Sequence, residues 1–262
     1  MDNNFHINHY DTDKPELYIA NYKRHFKNLR KKNIHLLELG VFRGGSLLFW
    51  RDYFPRGKIV GVDIEPVKIN DPSGRIHVYQ GLQQDRSFLD FVRHETAVDG
   101  FDIIIDDASH IGELTRISFW HLFENHLKDG GLYVIEDWRT GYWNNFPDGK
   151  TYRQPKEISF IKNFLKKIFI TLLHHKQKLP ENSKIKRYLN AILLNLEAFS
   201  RKKKYPSHNF GMVGVIKEFV DELGMDMITS PDRGSKIPHR SPKFSSMEIC
   251  PGQVFLIKRA KY

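Results

Sequence analysis

A single cysteine, Cys250, among 262 residues removes two classes of protein at once. A disulfide framework needs cysteines in pairs, and a multi-thiolate metal site needs several, so a reducing compartment, the cytoplasm, is the expected location. Long apolar runs are missing too: no stretch reaches the roughly 18 uncharged apolar residues that a bilayer-spanning helix requires. The opening MDNNFHINHYDTDK has no basic stretch followed by an apolar run, so no secretory leader is expected. Internal repeats and low-complexity tracts are likewise not evident. What is present is enough apolar sequence, 40% of the residues, to bury the core of one α/β domain carrying an insertion.

The formal net charge of +10 invites a nucleic-acid or anionic-membrane reading, but its placement matters more than its total. Residues 151–205 hold 14 Lys and Arg against 3 Glu, which leaves the rest of the chain near −1. Whatever the basic charge serves, it serves from one segment.

From Lys31 the sequence alternates between strand and helix patterns: IHLLELG, VFRGGSLLFWRDYF, KIVGVDIEP, RIHVYQG, SFLDFVRHE, FDIIIDD, TRISFWHLFENHL and GGLYVIED. Apolar strands joined by helices predict a mostly parallel, doubly wound α/β sheet with ligands gathered at the carboxyl ends of the strands. Four stretches are expected: an N-terminal helical lead-in over 1–30, a Rossmann-like core over 31–150, a basic helical insertion over 151–207, and a C-terminal completion of the sheet over 208–262.

The turn after the first strand, Glu38-Leu39-Gly40-Val41-Phe42-Arg43-Gly44-Gly45-Ser46, lets backbone approach a ligand closely. It lacks the GxGxxG spacing of a dinucleotide site. Asp63 ends the second strand, where a carboxylate can accept from both ribose hydroxyls. The plain alternative is a tight turn with a capping Asp, but turn, acid and βα alternation agree with one another. These segments resemble motif I and the acidic second-strand end of class I S-adenosylmethionine-dependent methyltransferases. The resemblance implies a cofactor-side set of Glu38, Gly40, Arg43, Ser46 and Asp63. GLQQDRSFL resembles the family's adenine-walling piece and adds Gln83, although Leu82 stands where the family has Asp.

At the far ends of the fourth and fifth strands stand Asp106-Asp107-Ala108-Ser109-His110 and Glu136-Asp137. Four carboxylates delivered to one crevice repel each other unless a cation joins them. Oxygen-rich ligation suits Mg2+ or Mn2+ better than zinc. Strand alternation sends Asp106 and Asp107 opposite ways, so only some of these acids can share one ion. An imidazole such as His110 could then remove a proton from a hydroxyl held there. Taken singly, these residues would be helix caps and loop charges; together they favour a site.

IIIDDASH and VIEDWRTGYW extend the resemblance, over roughly residues 11–150, to the metal-dependent sugar O-methyltransferases of macrolide biosynthesis, of the mycinamicin and macrocin type, and to the cephalosporin-hydroxylase-like family. The resemblance implies Asp107, Glu136 and Asp137 as metal ligands, His110 as base, and Asp106 on the cofactor side. Trp138 and Arg139 replace the Leu and His common in those proteins, so a macrolide acceptor does not follow. The implied activity is S-adenosyl-L-methionine- and Mg2+- or Mn2+-dependent O-methylation of a sugar or glycosylated small molecule. A non-catalytic binding or tailoring protein with the same pocket, and a methyltransferase acting on RNA or a lipid-linked saccharide, are the competing readings. The upstream piece TDK, with Tyr18 and Tyr22 after it, resembles the family's entry segment over the cofactor pocket; Lys14 is assigned no role.

The basic insertion admits three readings: a solvated helical lid, a peripheral membrane or lipid-linked-saccharide contact through 157–204, or a contact with a phosphate-rich substrate or RNA. No nucleic-acid motif accompanies the charge. Self-association into a homo-oligomer is compatible with the sequence.

Overall fold

In a computed structural model of the chain, the described residues are 7–152, 159–177, 179–180, 183–200 and 208–260. The alternating core forms β1 (His35–Leu39), β2 (Lys58–Asp63), β3 (Ile76–Gln80), β4 (Phe101–Asp106) and β5 (Leu127–Glu136), all parallel to their neighbours. A C-terminal hairpin, β6 (Phe244–Ile249) and β7 (Gln253–Lys258), adds antiparallel strands beside β5, giving the order β3-β2-β1-β4-β5-β7-β6. The sequence predicts β7 but not β6. Ser245, Ser246 and Ile249 of β6 face solvent on the sheet's edge, so it carries no continuous apolar run to announce it.

Period-two alternation decides which side each strand residue serves. Leu36, Ile59, Ile103, Ile105, Leu132 and Val134 pack under α1 (Glu16–Phe26) and α2 (Gly45–Tyr53) with Tyr22, Phe26 and Trp50. Their neighbours Leu37, Val60, Ile104, Tyr133 and Ile135 pack under α3 (Arg86–Thr96), α4 (Gly112–Asn125) and α7 (Gly211–Leu223) with Leu89, Phe119 and Phe219. The sheet is covered on both faces, as near-continuous apolar strands demand. Chain order reverses between β1 and β4, and a crevice opens beyond their carboxyl ends.

The chain divides into two compact units, one of residues 1–152 with 209–262 and the other of residues 153–208. In the first, the Asp148 carboxylate accepts from the amides of Gly112, 2.7 Å, and Met212, 2.8 Å, where α4 and α7 begin. These amides have no intrahelical partner, so one buried acid holds two helix starts together. The second unit is a helical pair, α5 (Ser159–Gln177) and α6 (Lys184–Ser200). On α6 Leu193 is buried, whereas Ile185, Tyr188 and Ile192 of the stripe read from the sequence are exposed. The basic run Arg201–Lys204 lies outside the described residues. Among the described residues no helix is long and apolar enough to cross a membrane. A short helix, α8 (Met225–Ile228), follows α7 in the first unit.

Candidate active site

The alternation that builds the core also loads the crevice with acid. Glu38 shares the α1–α2 side with Leu36, Glu136 shares it with Val134, and Asp107 continues the alternation of Ile103 and Ile105. Because β1, β4 and β5 are neighbours in that order, three carboxylates end on one side of three adjacent strands. Lys14, just ahead of α1, joins them: its buried Nζ lies 2.6 Å from Asp107 Oδ2, 2.7 Å from Glu136 Oε1 and 3.1 Å from Glu38 Oε1. Burial opposes the charge on Lys14, but the fields of Asp107, Glu136 and Glu38 outweigh it and hold its pKa well above the usual lysine range. One ammonium does not balance three acids. Burial raises the pKa of Asp107 and of Glu136 above the carboxylate range in spite of Lys14, and repulsion between carboxylates adds to the rise.

Hydroxyl groups from α1 and α2 fix these acids further. Tyr22 donates to Glu136 Oε1, Ser46 donates to Glu38 Oε2 at 2.7 Å, and Tyr18 donates to Asp137 Oδ1 at 2.5 Å. Tyr18 is itself wedged under the β6–β7 turn, where a Cβ on Gly252, at φ +93°, would fall 1.7 Å from its hydroxyl.

Among the described residues, three non-glycine residues adopt positive φ: Phe42 at 47°, His110 at 55° and Asp137 at 50°. All three line one cavity of about 630 Å³, within the usual range for small-molecule sites. Left-handed backbone at such residues costs roughly 1–3 kcal/mol each and concentrates where a side chain must be aimed. Here it brings His110 Nε2 to 3.9 Å from both Asp107 Oδ1 and Asp137 Oδ2. Asp107, His110 and Asp137 offer ligand atoms within 4.8 Å of one another. Glu136 lines the same cavity without joining that group, since Lys14 and Tyr22 hold it.

The residues expected on the cofactor side separate into three sets. Gly40 and Asp63 line the cavity. Gly40, at φ +80°, rests against β4, and a Cβ there would fall 2.2 Å from the Asp107 carbonyl oxygen, so only glycine closes the crevice so tightly. Asp63 accepts from the amides of Val41 (2.8 Å), Phe42 (2.9 Å) and Glu65 (3.0 Å), and so shapes the turn that it faces. Glu38, Ser46, Gln83 and Asp106 are buried behind the lining. Gln83 donates to Asp106 and accepts from the Ser109 amide at 3.0 Å, bracing the loop that carries His110. Asp106 turns to the α4 side, where Ser118 and Tyr133 donate to it and burial pushes its pKa up to about 6. Arg43 is exposed and pairs with Asp11 at 3.0 Å.

No protein-family model matches the chain. Among curated proteins it is 36% identical over 189 residues to mycinamicin VI 2''-O-methyltransferase of Micromonospora griseorubida, covering 70% of this chain and 46% of that protein. It is 38% identical over 173 residues to demethylmacrocin O-methyltransferase of Streptomyces fradiae, covering 63% and 42%. The solved structure of MycE methyltransferase from the mycinamycin biosynthetic pathway, in complex with Mg and SAH, superposes with a TM-score of 0.60 and 28% identity. That match covers 92% of this chain and 49% of MycE. The chain is a homologue of these O-methyltransferases. It spans less than half the length of the curated homologues just named. With the sugar O-methyltransferases it shares the Rossmann-like class I methyltransferase sheet expected from its sequence.

Lys14 is the site residue to which sequence reasoning gives no role; Tyr18 and Tyr22 stand in the segment likened to the family's entry over the cofactor pocket, but their bonds to Asp137 and Glu136 are not read there. A signal was there: period-two placement of Glu38, Asp107 and Glu136 on one side of adjacent strands calls for a buried cation, and TDK supplies a lysine just before the helix that covers that side.

Proposed function

We propose that this chain transfers the methyl group of S-adenosylmethionine to a hydroxyl of a sugar or glycosylated small molecule, with the help of Mg2+ or Mn2+. The observation that carries the reading is the meeting, in one cavity, of a glycine-mediated turn at the topological switch point with the group Asp107, His110 and Asp137.

The acids fit a hard divalent ion: the carboxylates of Asp107 and Asp137 converge, that of Glu136 lines the same cavity, and the acids outnumber Lys14. Asp107 and Asp137 would hold the ion with Glu136 as the third member, and when bound it would lower the pKa of the acceptor hydroxyl. S-adenosylmethionine, for its part, supplies an electrophilic methyl group on a sulfonium sulfur.

Each protein group then has a definite task. Gly40 admits the cofactor close to the ends of β1 and β4, and Asp63 meets its ribose while holding the turn. Glu38 and Ser46 support that turn from behind, Gln83 and Asp106 brace the His110 loop, and Arg43 guards the outer edge beside Asp11. His110 Nε2 takes the hydroxyl proton, and the flanking carboxylates of Asp107 and Asp137 stabilise the resulting imidazolium. With S-adenosylmethionine bound, its methyl carbon would pass to the acceptor oxygen, and the carbon–sulfur electron pair would remain on sulfur. Much of the acceleration would come from the cavity residues holding the two reactants in register. Phe42 and Trp143, both largely exposed at the cavity, give apolar surface for a sugar face or aglycone.

His110→Ala is expected to lower turnover on a glycoside panel by roughly 10²- to 10⁴-fold, with cofactor affinity unchanged. Cofactor-product formation during turnover and calorimetric cofactor binding read the two quantities separately. Turnover at the wild-type rate would remove His110 as the base.

A further inference from the structure

Outside the cavity, a second group of metal-ligating side chains sits where α3 meets the end of α4. Asp90 comes from α3, His121 from the last turns of α4, and His126 is the residue that caps it. His126 Nε2 lies 2.6 Å, and His121 Nε2 2.7 Å, from the same atom, Asp90 Oδ1. The two rings stand nearly perpendicular, at 81°, with centroids 5.0 Å apart, so both nitrogens aim at one point rather than stacking past each other. The three ligand atoms fall within 4.8 Å of one another. None of the three residues lines the cavity described above.

From this convergence we propose that Asp90, His121 and His126 form a second divalent-cation site, suited to zinc and open to solvent on its fourth side. Two imidazoles with one carboxylate are a nitrogen-rich set that favours zinc, whereas the oxygen-rich cavity favours magnesium. Tetrahedral bonds of about 2.0–2.2 Å place ligand atoms roughly 3.4 Å apart, so each side chain need move outward by less than about 1 Å. The Asp90 side chain is 53% exposed while the imidazoles are 11% and 9% exposed, which leaves the carboxylate side open for a water ligand and an ion's entry. An ion there would tie α3 to the end of α4 and stabilise the fold by mass action.

The test uses tag-free protein carrying Asp107→Asn and Asp137→Asn, which disables the cavity cluster, in excess Mg2+. Titration with Co2+ is expected to give one equivalent with the visible absorption of a tetrahedral nitrogen–oxygen site, displaced by Zn2+. His121→Ala or Asp90→Asn on that background should weaken binding at least tenfold, and the exposure of Asp90 means that the fold of its variant should persist. In Mg2+-saturated wild type, zinc should likewise raise the Tm, and His121→Ala should abolish the rise. No Co2+ equivalent at micromolar protein, or full-strength binding by both variants, would overturn the site and leave Asp90 as a hydrogen-bonded bridge between two histidines.

Discussion

At the scale of single residues, the balance of charge around Lys14 governs the site. Glu38, Asp107 and Glu136 are tolerable together because one buried ammonium reaches all three. Removing a partner from a buried ion cluster commonly costs about 3–5 kcal/mol, because the remaining charges stay buried. Lys14→Met should therefore lose stability of about that size without metal, and saturating Mg2+ should restore part of it by binding the freed carboxylates. Denaturant unfolding with and without Mg2+ measures both effects; an undiminished midpoint would show that the acids do not need Lys14. His110, Asp107, Glu136 and Asp137 are legible in the sequence because each lies in a short motif closing a strong strand pattern. Lys14 becomes legible only once the strand order is known, because its partners Asp107 and Glu136 lie 93 and 122 residues away.

At the scale of elements, strand periodicity carries most of the information. Alternation alone places Asp106 and Asp107 on opposite sides, and the structure sends one to Ser118 on α4 and the other to Lys14. Motif-local contacts are less legible: nothing in GLQQDRSFL indicates that Gln83 reaches the Ser109 amide rather than the cavity. The edge strand β6 escapes notice for want of an apolar run. Asp148 also escapes, because its partners are backbone amides, which leave no trace in side-chain chemistry. Its carboxylate caps α4 and α7 at once, so Asp148→Ala should strand two buried amides and cost roughly 2–4 kcal/mol. Asp148→Asn, which keeps an acceptor, should cost less; chemical denaturation of the two variants compares them, and equal losses would assign the effect to charge rather than capping.

At the scale of the whole molecule, the charge asymmetry seen in the sequence coincides with the division into units. The basic segment falls almost wholly within residues 153–208, while the nearly neutral remainder holds the sheet and the cavity. Asp148 and Met212 are hydrogen-bonded, so the chain returns beside the point at which it departs. Replacing 153–208 by a short Gly/Ser linker should therefore leave a folded protein whose cofactor affinity matches the full chain. Loss of cofactor binding in a soluble, folded variant would show that the basic unit helps to build the cofactor site. Fold class was legible at this scale because it needs only alternation and turn chemistry, whereas the acceptor is set by loops and by the insertion, where pattern carries little.

The central claim, one cavity holding both a methyl donor and a divalent ion, is tested most directly by calorimetry on metal-stripped protein. Titrating S-adenosylmethionine and then Mg2+ into wild type and into the Asp107→Asn, Asp137→Asn variant should show cofactor binding by both proteins but Mg2+ binding only by wild type. Failure of wild type to bind S-adenosylmethionine, or equal Mg2+ binding by the variant, would contradict it.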